Sequence, residues 1–264
     1  MSTPGHTLSN GPATRRARFV VSYVGSPFKG FAHNDGVFTV EGELSRAIST
    51  VARHPVELSI AGRTDAGVHG RGQVVSCDIP ADTDLDNLVR SVNGMCKPNI
   101  SLRSAEWAAD DFDARFSATW RHYRYVVLNT PTPDPMLVDR AWHVWQPLSV
   151  PLMNLACDAL MGEQDFTSFC RRPDPLPGQP PASMKRYVMA AGWSDNGDGI
   201  LTFDIRANAF CHQMVRSVTG TMVDVGRGRL RPDDVARILA AKDRGAAGQV
   251  APPKGLCLWA VGYG

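Results

Sequence analysis

One order of elements occurs twice along this chain, and that repetition limits the folds open to it more than any single residue does. Arg18–Val24 alternates as a strand does, and Val40, Leu44, Ala47, Ile48 and Val51 share one face of a helix that starts after an N-cap at Thr39. Val56–Ala61 and Gln73–Ile79 read as strands flanking a turn. Leu85, Leu88, Val89 and Val92 mark a second helix stopped near Lys97-Pro98, and Ile100–Trp107 is a closing strand. The order is β-α-β-β-α-β, the split βαβ or ferredoxin-like arrangement. The second half reads the same way. Tyr123–Leu128 and Ala141–Trp145 are strands, Leu152–Met161 is a helix ended by Gly162, and Tyr187–Trp193 pairs with Leu201–Arg206 across Asp195-Asn196-Gly197-Asp198-Gly199. Helices follow over Phe210–Val225, with Asn208 as N-cap, and over Pro232–Lys242, with proline at the first position; Leu256–Tyr263 is the last strand. The expectation is an α+β protein of two such halves, residues 17–113 and 114–264, with sheets side by side and a central cleft.

Composition adds boundaries rather than a function. A chain of 264 residues can bury a core in one large domain or two moderate ones, and its net charge of +2 is too small to identify a nucleic-acid partner. Residues 1–16 lack an apolar run and read as a disordered tail rather than a signal peptide, and no stretch has the length of a membrane helix. The six cysteines are scattered without a CxxC pair, which fits free thiols in a reducing cytoplasm better than a disulfide frame or a zinc site. Arg171–Lys185 carries five prolines and reads as a long loop.

The run Ala61-Gly62-Arg63-Thr64-Asp65-Ala66-Gly67-Val68-His69-Gly70 holds one carboxylate between two glycines. Glycine tolerates positive φ, so the spacing predicts a tight turn that pushes Asp65 out of the scaffold. Thr-Asp-Ala-Gly alone would be an ordinary surface turn. The ten-residue run, however, resembles the signature of the TruA family of tRNA pseudouridine synthases, whose catalytic aspartate sits in a Gly-Arg-Thr-Asp-x-Gly-Val-His setting. Two further runs extend the resemblance. Asp113-Ala114-Arg115-Phe116-Ser117-Ala118, followed by Arg121-His122-Tyr123-Arg124-Tyr125, matches the family's Ala-Arg-Phe-x-Ala and Arg-x-Tyr-x-Tyr. Ala207-Asn208-Ala209-Phe210-Cys211-His212-Gln213-Met214-Val215-Arg216 matches its Ala-Asn-x-Phe-x-x-x-Met-Val-Arg. The similarity spans roughly Arg18 to Tyr263. It departs near the N-terminus, where Val24, Phe31 and Asn34 replace the family's Asp, Trp and Gln, and at Cys257, which replaces a Tyr.

The resemblance implies the pseudouridine synthase fold and isomerisation of uridine in the anticodon stem-loop of tRNA (positions 38–40), by a homodimer. It implies Asp65 as nucleophile or base, Arg216 as its ion-pair partner, Arg63 as the residue that enters the RNA helix during base flipping, Tyr123 against the target base and Leu256 on the pocket wall. The chemistry moves no electrons and changes no atom count, so neither metal nor other cofactor has a task. A carboxylate removed from water tends to take up a proton, and a guanidinium in contact opposes that, which is the physical reason to expect an arginine at Asp65. Basic clusters at Arg15, Arg16 and Arg18, at Arg171 and Arg172, at Lys185 and Arg186, and at Arg227, Arg229 and Arg231 offer contacts to phosphates. Tyr125 reads as a strand aromatic, and His69 and His122 as structural. Two other classes fit some of the same residues: an RNA-binding or tRNA-folding module without isomerase activity, and a nucleoside hydrolase that would release free uracil.

Overall fold

A computed structural model describes residues 13–172 and 182–264. The first half runs β1 (Thr14–Tyr23), α1 (Val40–Ala52), β2 (Ser59–Ile60), β3 (His69–Pro80), α2 (Leu85–Cys96) and β4 (Ile100–Trp107). The second runs β5 (Ala118–Leu128), β6 (Trp142–His143), α3 (Val150–Cys157), β7 (Gly162–Asp165), β8 (Lys185–Asp195), β9 (Ile200–Ala207), α4 (Met214–Gly226), α5 (Asp234–Ala241) and β10 (Leu256–Tyr263). All ten strands form one sheet with the order β4-β1-β3-β10-β5-β9-β8-β7, β2 lying beside β3 and β6 beside β5.

Numbering the four main strands of each half from its own start gives the sequence 4-1-3-2 in both. In the first half the second strand is only two residues long, pairing Ser59 and Ile60 with Ser76 and Val75 at the far end of β3. The near end of β3 is therefore open, and β10 docks there in parallel, Cys257 opposite His69 and Leu258 opposite Gly70. The two expected sheets thus become one, joined immediately after the Asp65 turn.

Each half buries its own helices on the sheet. Phe19, Val21, Val75 and Ile79 pack against Leu44 and Ile48 of α1 and Leu88 and Val92 of α2. Thr39 caps α1 by accepting a hydrogen bond from the Gly42 amide at 3.2 Å, an interaction worth about 0.5–2 kcal/mol. The second core gathers Tyr125, Val127, Phe203 and Ile205 with Met153, Phe166, Phe169, Val218 and Met222. Among the described residues no helix is long and apolar enough to cross a membrane.

Several expected boundaries move. The tail expected over residues 1–16 ends sooner, because Thr14, Arg15 and Arg16 already pair with Pro80, Ile79 and Asp78; residues 1–12 lie outside the described residues, as do 173–181 of the proline-rich loop. The strands expected at Val56–Ala61 and Ala141–Trp145 shrink to two residues each, since each meets the sheet only at a short ladder. The helix expected to Met161 gives way to a tighter turn after Cys157, and Gly162 at φ 76° opens a strand that hydrophobic pattern alone does not reveal. Pro232 precedes α5 rather than starting it, the Asp234 side chain instead accepting from the Arg231 amide at 2.7 Å. Cys170 and Cys211, expected as scattered thiols, are neighbours in space, with Cα atoms 5.8 Å apart, a spacing that a disulfide can span.

Candidate active site

The turn that carries Asp65 is held by its backbone. The Val68 amide donates to the Asp65 carbonyl at 3.1 Å, and Gly67 adopts φ 79°, a conformation costly for a residue with a Cβ. The carbonyls before it are also engaged. Arg121 donates to Ala61 from Nε (3.1 Å) and a terminal nitrogen (3.0 Å), Gln73 donates to Gly62 at 2.6 Å, and the Phe31 amide donates to Thr64 at 3.1 Å. Beneath the turn, a Cβ on Gly25 would stand 2.0 Å from the Val68 carbonyl oxygen, so only glycine permits that approach. The divergent segment from Tyr23 to Asn34 thus serves as the bed of the turn, with Phe28 and Phe31 buried and Tyr23 sharing a 2.8 Å hydrogen bond with the Thr64 hydroxyl.

Arg216 comes from the other half, in the first turn of α4. One terminal nitrogen donates to Asp65 Oδ2 at 3.0 Å, while Nε donates to the Ala251 carbonyl at 2.8 Å, so the guanidinium is aimed by a second anchor. The second carboxylate oxygen, Oδ1, lies 3.2 Å from His212 Nε2. No role for His212 was legible, because the expected helix from Phe210 would have placed it merely one turn before Arg216. The helix starts only at Met214. Gln213 takes φ 64°, folding residues 208–212 back over the turn, where the Arg171 amide donates to the His212 carbonyl at 2.9 Å. Asn208 is accordingly no helix cap; its side-chain oxygen accepts from the amides of Tyr187 and Ala209 at 3.0 and 2.8 Å.

These groups line a cavity of about 1370 Å³ at the junction of the halves, together with Arg63, Tyr123 and Leu256. That exceeds the usual 300–1,000 Å³ of a small-molecule site and suits a nucleotide with its neighbours. Tyr123 is buried, its ring edge-on to Phe210 at 5.0 Å, and its hydroxyl would sit 3.7 Å from a Cβ on Gly62. Burial pushes its phenol well above the tyrosine range, and the Asp65 charge adds to this, so the ring stays neutral. Leu256 is buried at the start of β10, opposite Tyr125. Arg63 is exposed at the cavity, with no ion-pair partner among the described residues. Tyr125 belongs to the core and donates to the Pro252 carbonyl at 2.8 Å. The basic clusters divide: Arg186 lines the cavity, Arg16 lines it while paired with Asp78 at 2.7 Å, and Arg18, Arg227 and Arg229 are tied to Glu106 and Asp224.

Of the two histidines read as structural, His122 faces away from Tyr123, 2.7 Å from Asp204. His69 Nδ1 accepts from the Gly25 amide at 3.1 Å, and Nε2 lies 3.0 Å from the Lys254 carbonyl, which fixes one neutral tautomer between the halves. Burial, aided by Arg140, lowers the imidazole below its ordinary value of 6.5. The unfolded chain then binds a proton that the native state excludes. This contribution to stability is complete above pH 6.5 and is lost as pH falls through that value toward the depressed one. Thermal melts of wild type and His69→Gln between about pH 7.5 and 5.5 will show the gap between them narrowing on acidification; a constant gap contradicts the assignment.

A sheet assembled from two β-α-β-β-α-β halves thus places a carboxylate on a glycine turn against an arginine across the junction, the arrangement that the resemblance to pseudouridine synthases implies. A family model described as tRNA pseudouridine synthase matches residues 156–264. The chain is 38% identical over 252 residues to "tRNA pseudouridine synthase A" of Aliivibrio fischeri (strain MJ11), covering 94% of this chain and 92% of that protein. It is 39% identical over 261 residues to the protein of that name from Streptomyces avermitilis, covering 96% and 89%. With the Listeria monocytogenes serotype 4a protein the identity is 36% over 250 residues, covering 94% and 99%. The chain belongs to the TruA family of tRNA pseudouridine synthases.

Proposed function

We propose that this isomerase converts uridine to pseudouridine in the anticodon stem-loop of tRNA, with Asp65 as the reacting carboxylate. The observation that carries the reading is the Asp65–Arg216 pair, 3.0 Å long and formed across the two halves inside the junction cavity. The reaction breaks the bond from C1′ to N1, turns the freed uracil and joins C1′ to C5; the C5 proton leaves and N1 gains one. Asp65 acts either by attacking C1′ or by removing the 2′ proton. Arg216 supplies a fixed positive charge beside it. Arg63 enters the RNA stack to replace the flipped nucleotide, whose extrusion costs a few kcal/mol. Tyr123 recovers part of that by stacking, worth about 1–3 kcal/mol per base, and Leu256 walls the pocket. The anticodon arm and a homodimeric enzyme rest on the family resemblance.

The test is tritium release from tRNA labelled at uridine C5, followed by mapping of the product. Release with pseudouridine confined to the anticodon arm is expected. Label retained in bound tRNA favours the binding module, free uracil indicates a hydrolase, and pseudouridine elsewhere in the tRNA overturns the assigned arm.

A further inference from the structure

Phe116 is 79% exposed, although the backbone of its turn is held by several hydrogen bonds. Asp113 Oδ1 accepts from the amides of both Arg115 and Phe116 at 2.8 Å, and the Ser117 amide donates to the Asp113 carbonyl at 3.0 Å. Arg121 then ties the turn to the Asp65 loop. Its terminal nitrogens donate to the carbonyls of Arg115 at 2.7 Å and Ala118 at 3.0 Å, while the same guanidinium holds the Ala61 carbonyl. The backbone at Phe116 therefore keeps a fixed place relative to the Asp65 turn, and both residues line the same cavity. The Arg115 guanidinium carbon lies 5.1 Å from the centre of the Phe116 ring.

An exposed apolar ring on a backbone held this firmly, beside Arg115 and in a cavity that also presents Arg63 and Arg186, matches a ligand that is both flat and anionic. A nucleobase on its phosphate backbone has both properties, and every base offers a face for stacking. We propose that Phe116 is a stacking platform for a base of the bound RNA next to the flipped uridine, with Arg115 and Arg121 setting its position. The inference rests on reading the cavity as an RNA site, and not on the chemistry assigned to Asp65.

The experiment compares wild type, Phe116→Ala and Phe116→Trp. A fluorescent anticodon stem-loop gives Kd, single-turnover tritium release at saturating RNA gives the chemical rate, and sedimentation gives the association state. Phe116→Ala should weaken binding about 10-fold, within the range of 5- to 150-fold that loss of one base stack produces, while the saturated rate stays within about threefold. Phe116→Trp should bind within about threefold of wild type. Unchanged affinity of the alanine variant, failure of tryptophan to restore it, or an altered association state would overturn the proposal; the last would assign the ring to a contact between chains. Wild type that cannot hold this RNA would overturn the RNA reading itself, a result distinguishable from failure at Phe116 alone.

Discussion

Asp65→Asn is expected to lower the saturated rate of tritium release by about 10³-fold or more, while tRNA affinity stays within a few-fold of wild type. Asparagine has nearly the same shape and can still accept a hydrogen bond from Arg216. What it lacks is the charge and basicity that either attack on C1′ or removal of the 2′ proton requires. The turn should keep its form, because its restraints are backbone ones: the Val68, Phe31, Gln73 and Arg121 contacts are all made to carbonyls that the substitution leaves in place. The pair that is lost has one partner 26% exposed, so the stability cost should be no more than about 1 kcal/mol. A fall in rate with affinity kept and no more than about 2–4 °C lost in melting temperature thus isolates chemistry from binding and folding. Turnover within tenfold of wild type would remove Asp65 from the reaction.

Much of the scaffold is legible in the sequence because it follows local rules. The apolar spacing of Leu44, Ala47 and Ile48 with the Thr39 cap, and the Asn-Gly and Asp-Gly turn between β8 and β9, are short-range signals that tertiary contacts reinforce. The departures occur where a long-range contact overrules a local preference. Gln213 adopts a left-handed backbone that sequence pattern does not predict, and this one residue delays α4 and brings His212 to Asp65. The contacts of Cys170 with Cys211, separated by 41 residues, and of β3 with β10 likewise have no local signature. The turn that carries Asp65 could be read in part, since Gly67 takes the positive φ expected of it while Gly62 does not. The pairing of Asp65 with Arg216, 151 residues away, could be read only through likeness to a family, since no spacing rule relates the two.

Arg216 should act through Asp65 rather than on the substrate, and its substitutions can separate these roles. Arg216→Met removes the donor to Oδ2 and the tie to Ala251, leaving the carboxylate with His212, which is 46% exposed and therefore a weakly fixed partner. The saturated rate is expected to fall about 10²-fold, the scale on which losing one preorganised donor is felt. Stability should drop by about 1–2 kcal/mol, less than for a fully buried charged hydrogen bond because Arg216 is 15% and Asp65 26% exposed. Arg216→Lys keeps a charge but cannot span both the Ala251 carbonyl and Asp65, and should lose about tenfold. The decisive variant is the double one. If Arg216 serves only to hold and charge-balance Asp65, Asp65→Asn with Arg216→Met will be no slower than Asp65→Asn alone, because the arginine has nothing left to assist. Rate losses that multiply, or a weakening of tRNA binding by Arg216→Met as large as its loss of rate, would place the guanidinium on the RNA instead.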